Sequence, residues 1–156
     1  MDMSDTFRLF FDTSVFGGYH DQEFAEETRQ LFHYARTGRI TIVISDAIIR
    51  ELERAPVDVK QLLHDFKDFI EVVAIDARMY ALAEKYVAGG IIPLKWSDDA
   101  LHVATATIVE TDAIVSWNFK HLVRFDRIRA FNQVNFAGGY GMVTIISPKE
   151  AELSDD

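Results

Sequence analysis

Five short apolar runs separated by stretches of helical pattern constrain this chain more than any other feature. Leu9-Phe10-Phe11 and residues 40–44, 70–74, 113–116 and 142–146 are bulky or β-branched and short enough to be strands. The intervals between them are far too long for hairpin turns. Strands that alternate with helices take right-handed crossovers and build a mostly parallel sheet covered on both faces. The fold class expected is α/β: a three-layer α/β/α sandwich around a central, mostly parallel sheet of about five strands.

The helical intervals are readable one by one. Residues 22–37 place Phe24, Thr28, Leu31 and Ala35 on one side, and Gly38 is suited to end the helix. Further helices are expected over residues 45–54, 57–69 after the break at Pro56, and 76–88 up to Gly89-Gly90. Ser97 reads as the cap of another helix of about fourteen residues, and residues 119–131 as partly helical. Residues 16–20 read as a mobile connection, and the acidic end from Glu150 as frayed.

A chain of 156 residues suits one domain, spanning residues 1–156 with a core over about 7–148 and an acidic tail over 149–156. The absence of cysteine excludes disulfides, thiolate catalysis and Cys-ligated zinc. The first residues lack the basic and apolar regions of a signal peptide, and no apolar run is long enough to span a bilayer, so a soluble cytoplasmic protein with no membrane partner is expected. A formal charge of -9 argues against sequence-blind attraction to nucleic acid, which rests on lysine and arginine. Any such activity must be local.

In an open parallel sheet, ligands bind beyond the carboxyl ends of the strands. Asp12 follows the first strand there, with Thr13 and Ser14 behind it, although a helix cap is the ordinary use of such residues. Glu51 follows the second strand. Counting about 100° per residue from Ile48, Leu52 and Ala55 define a buried stripe, with Glu51 about 60° away at its border and Glu53 about 140° away in water. Asp98-Asp99 open a nearly all-apolar helix, where one acidic residue would suffice for the macrodipole. Periodicity does not choose between the two. His102, on that helix, is more ordinarily a packed core residue than a ligand. Ser116 and Asn118 follow the fourth strand, where turn or cap roles compete with a site role.

Together these segments resemble the PIN domain, the fold of the VapC-type toxin ribonucleases, over nearly the whole chain from Phe10 to about Pro148. Phe11-Asp12-Thr13-Ser14-Val15 is similar to the family's first motif. The segment from Ile44 to Leu52 resembles the second, with Glu51 as its functional residue, and the segment from Asp99 to Ala106 resembles the third, which favours Asp99 over Asp98. One departure stands out: many members carry a further aspartate after the fourth strand, where this chain has Ser116-Trp117-Asn118.

The resemblance implies an Mg²⁺- or Mn²⁺-dependent endoribonuclease acting on single-stranded RNA. It further implies the toxin of a type II toxin–antitoxin pair, with an antitoxin partner and self-pairing as a homodimer. Asp12, Glu51 and Asp99 would be catalytic and hold the metal; Asn118 would assist. Ser14, Asp98, His102 and Ser116 are secondary candidates. Hard oxygen donors suit Mg²⁺ or Mn²⁺ better than zinc. Lys120, Arg124 and Arg127 are the expected RNA contacts, with Phe119, Phe125 and Phe131 interleaved. The alternative is a catalytically weakened PIN-fold module that binds RNA or protein, a reading kept alive by Asn118.

Overall fold

The computed structural model describes residues 6–154. Five strands, β1 (Phe7–Phe11), β2 (Ile40–Ser45), β3 (Ile70–Val73), β4 (Ala113–Val115) and β5 (Ile145–Ile146), form one sheet in the order β3-β2-β1-β4-β5. Every pairing is parallel. The chain winds outward from β1 to β3 on one side, then crosses back to add β4 and β5 on the other. This places the reversal of strand order beside β1, where a crevice opens at the carboxyl edge.

The strands form where the sequence is apolar on both alternating faces, as a sheet covered by helices requires. Successive residues of β1 show the two layers. Phe11 packs edge-on against Phe16 and Phe32, with ring centroids 6.2 and 5.5 Å away. Its neighbour Phe10 turns to the opposite face, where its ring lies 6.0 Å from that of His102. Helices α1 (Thr13–Gly18), α2 (Ala25–Arg36), α3 (Asp46–Leu52) and α4 (Val57–Asp65) pack together, and α5 (Ala77–Ala88) packs on α6 (Ser97–Ile108) and α7 (Phe125–Ala137). Phe10, Phe11, Ile42, Ile44, Ile48, Ile114 and Val115 are fully buried.

Residues 16–20 are not a loose connection. Val15, Phe16 and Gly18 are buried in α1, which starts directly after Asp12. Gly18 is required there because an added Cβ would lie 2.7 Å from Trp117 Nε1 and 2.8 Å from Thr28 Oγ1. Those two atoms hydrogen-bond each other at 2.8 Å, tying α2 to the segment after β4. Gly18→Val is therefore expected to destabilise the fold by about 1–3 kcal/mol through overpacking. Thermal melting checks this, and an unchanged midpoint would show that the junction yields freely.

Three other expectations change. Ser97 is the first residue of α6 rather than its cap, because a 3-10 turn over Leu94–Trp96 runs into the helix without an extended residue between them. The last strand is only Ile145–Ile146. The tail is docked at least to Leu153: Ala151 is buried, and the Tyr34 hydroxyl accepts from Leu153 N at 3.0 Å. Residues 155–156 of the expected tail lie outside the described residues.

Candidate active site

Asp12 sits at the N-cap position of α1 but makes no side-chain cap bond. Its carboxylate is buried and accepts instead from two serines, Ser14 Oγ at Oδ1 and Ser116 Oγ at Oδ2, each at 2.5 Å. The two serines come from different elements, one from α1 and one from directly after β4, and their hydroxyls lie 3.4 Å apart. Burial pushes the Asp12 carboxyl above its ordinary pKa, and the two hydroxyls only partly offset this.

Glu51 reaches the same edge from α3. Ser45 Oγ caps that helix by accepting from Ile48 N at 3.2 Å, and Ile48 and Leu52 anchor its inner face. This leaves Glu51 half-buried at the border, while Glu53 is exposed. Both of its carboxylate oxygens are held. Oε1 lies 3.1 Å from His102 Nε2, and Oε2 accepts from the Thr13 hydroxyl. Burial alone would raise the Glu51 pKa; the hydrogen bond and charge of His102, with Thr13, outweigh it and hold the carboxyl below its ordinary value.

Asp99, in the first turn of α6, completes the neighbourhood. Burial, and then the charges of Asp12, Glu51 and Asp98, push its carboxyl up to about 6 against the opposing pull of His102. Asp98 is exposed and lines a 310 Å³ groove between α5 and α6 with Tyr80 and Leu94. The structure thus separates the adjacent pair into one residue that feels the other carboxylates and one that borders a groove.

His102 is only 3% exposed. Its Nδ1 is buried and finds no partner among the described residues, while Nε2 carries a proton that it donates to Glu51. Burial would lower its pKa, but the Glu51 hydrogen bond and the charges of Glu51, Asp12 and Asp99 hold it up. Thr13 was visible in the first motif but carries no sequence signal for its bond to Glu51, a residue of another element.

Asn118 stands at the rim. Its N–H donates to Ser116 Oγ at 2.9 Å, and its Oδ1 accepts from His121 N at 2.9 Å, so the carboxamide caps the turn after β4. Among the basic residues, Arg124 pairs with Asp126 at 2.9 Å and Arg127 donates to His121 O at 3.0 Å, while Lys120 is exposed. Phe119 and Phe125 are exposed, but Phe131 is in the core.

The donor set suits a hard divalent cation in kind and charge, since carboxylate oxygens are its ordinary ligands and burial with neighbouring negative charge already pushes Asp99 up to about 6. As the side chains are placed, no three His, Asp or Glu residues among the described residues form a group that could hold a metal ion. Asp12 and Glu51 spend their oxygens on internal hydrogen bonds, leaving each oxygen a second lone pair for a cation.

Comparison with solved structures finds this architecture again. A chain of VapBC2 from Rickettsia felis, determined bound to a DNA fragment from their promoter, matches with a TM-score of 0.60 and 15% identity over 90% of this chain and 98% of that one. The chain has the fold of its VapBC2 counterpart. A chain of FitAcB from Neisseria gonorrhoeae matches with a TM-score of 0.58 and 13% identity, over the same shares of the two chains. No protein-family model and no curated protein matches the sequence. No helix among the described residues is long and apolar enough to cross a membrane.

Proposed function

We propose that this chain is an Mg²⁺- or Mn²⁺-dependent endoribonuclease of single-stranded RNA, the cytoplasmic toxin of a type II toxin–antitoxin pair. The observation that carries the reading is the buried Asp12 carboxylate, held by Ser14 and Ser116 beside β1 where the strand order reverses, with Glu51 held by His102 at the same edge. The resemblance of the motifs to VapC-type toxins and the fold shared with a chain of VapBC2 support it together. An antitoxin partner and self-pairing belong to the same reading.

Asp12, Glu51 and Asp99 would hold the cation. Such a cation supplies charge that polarises a phosphodiester and eases deprotonation of water. The chain's own groups prepare the site. Ser14 and Ser116 fix the Asp12 carboxylate, and His102 with Thr13 fixes that of Glu51. The Asp99 carboxyl, pushed up to about 6, and the Asp12 carboxyl, also raised by burial, are the ones that cation binding would deprotonate. The expected result is RNA cleavage that requires Mg²⁺ or Mn²⁺ and disappears in Asp99→Asn. Cleavage that survives both EDTA and Asp99→Asn overturns the reading.

His102 acts in this scheme as a positioning residue for Glu51. Groups that orient metal ligands are worth about 10–100-fold in metal affinity. His102→Phe, which keeps a ring beside Phe10, is expected to weaken Mn²⁺ binding by about that factor, and His102→Gln, with an amide N–H, to recover part of it. Calorimetric titration measures both, and Mn²⁺ affinity unchanged in His102→Phe would remove His102 from the scheme.

A second reading is favoured by one observation: Asn118 brings no charge and is committed to its turn. A fold of this kind without catalysis would bind RNA or protein only. Salt-sensitive RNA binding without cleavage at any Mn²⁺ concentration is its signature.

A further inference from the structure

Three separate segments bring cations to one rim beside the carboxylates, and the first of them lies outside the basic run at 120–129. Lys95 and Trp96 come from the 3-10 turn ahead of α6, Lys120 and His121 from the turn after β4, and Arg124 and Arg127 from the start of α7. The Trp96 and His121 rings pack at a 35° tilt with centroids 4.3 Å apart, and Lys95 Nζ lies 5.4 Å from the Trp96 ring centre. Arg127 braces His121 from below, with Nη1 3.0 Å from its carbonyl oxygen and 3.4 Å from Nδ1. Because an arginine can only donate, Nδ1 accepts and Nε2 carries the proton, a donor suited to a phosphate oxygen.

The rim is wired to the site by short contacts. His121 N donates to Asn118, Asn118 N donates to Ser116, and the Ser116 hydroxyl donates to Asp12. Arg124 is spent on Asp126 and the Lys120 carbonyl, which fixes the turn and leaves Lys95 and Lys120 exposed. Phe119, 48% exposed, adds an aromatic surface on the same turn. Burial and the charges of Arg127, Lys120, Lys95 and Arg124 hold the His121 pKa below its ordinary value, consistent with cations converging on one ring.

We propose that Lys95, Lys120 and His121, built around the Trp96–His121 ring pair, form a backbone-phosphate subsite that seats a single-stranded nucleic acid against the carboxylate edge. Cations alternating with aromatic surface suit a strand whose phosphates and bases are both reachable. In a chain of charge -9, repulsion elsewhere confines the strand to this rim. The inference deepens the reading above and rests on its nucleic-acid part.

The test is binding of a labelled single-stranded oligoribonucleotide in EDTA, followed across a salt series. Each phosphate contact contributes about 0.7 to the slope of log affinity against log salt for a single strand. Lys95→Ser and Lys120→Ser are each expected to lower that slope by about 0.7. Lys149→Ser, an equal charge change at the distant groove beside Pro148 and Tyr34, should leave it unaltered. The oligonucleotide should also quench tryptophan emission, and Trp96→Phe should remove the quench, because Trp117, the other tryptophan, is buried against Phe24. Equal slopes in Lys95→Ser and Lys149→Ser, or no binding by the unmodified chain, overturn the subsite. A chain that binds in this pattern yet never cleaves with Mn²⁺ sinks the nuclease reading alone. A chain that cleaves but ignores Lys95→Ser and Lys120→Ser sinks the subsite alone.

Discussion

Asp12→Asn is expected to abolish divalent-cation binding and RNA cleavage together while leaving the fold standing. Residues that merely orient a ligand are worth about 10–100-fold, so loss of a ligand should cost at least about 100-fold in affinity. The fold survives because the amide is nearly the same shape as the carboxylate. It can accept from one of the two serines through Oδ1 and donate through Nδ2 to the hydroxyl oxygen of the other. Mn²⁺ titration, cleavage and a melting curve on the same sample make the measurement. Wild-type Mn²⁺ affinity in a folded Asp12→Asn variant would take Asp12 out of any metal site.

The largest effect on stability is expected at Phe32→Ala. Phe32 is 1% exposed and meets four rings edge-on: Phe11 at 5.5 Å, Phe16 at 5.6 Å, Tyr19 at 5.3 Å and Phe66 at 4.7 Å. Removing a buried phenyl group costs about 3–5 kcal/mol, and lost edge-to-face pairs, each about 0.5–1.5 kcal/mol, favour the upper end. Against a domain stability of about 5–15 kcal/mol, that loss is a large fraction of the whole. Urea denaturation reads it directly. The loss should also reach the site, since Phe16 and Tyr19 hold α1, and α1 carries Ser14 and Thr13. A loss below about 1 kcal/mol would mean that the cluster refills the space.

The architecture was legible because the strands are short, apolar on both faces and separated by helical intervals, and these are local patterns. The places where the reading failed depend on contacts made from afar. Residues 16–20 look like a glycine-rich link until Gly18 is seen packed on Trp117 and Thr28, and the acidic tail looks frayed until Tyr34 catches Leu153. At the candidate site, the sequence supplied Asp12, Glu51 and Asp99 but not how each is held. Ser116 and Asp12 are 104 residues apart, and His102 and Glu51 are 51 apart, so no periodicity connects them. His102, which reads as a core residue, is both buried and bonded to Glu51. Asn118, which reads as a weakened site residue, has its side chain turned to the backbone of His121. Lys95 escaped notice because a lone lysine before a helix carries no signal until the turn after β4 folds against it.

The order of the strands also has a consequence for biosynthesis. β1 is translated well before one of its two lateral neighbours, β4, and the Ser116 hydroxyl that completes the Asp12 pocket follows Asp12 by 104 residues. No nascent chain that stops short of Ser116 can assemble that pocket. Shorter nascent chains carry the Asp12 carboxylate with only one of its two serine donors, so the pocket is finished from a segment made long after the strand that bears it.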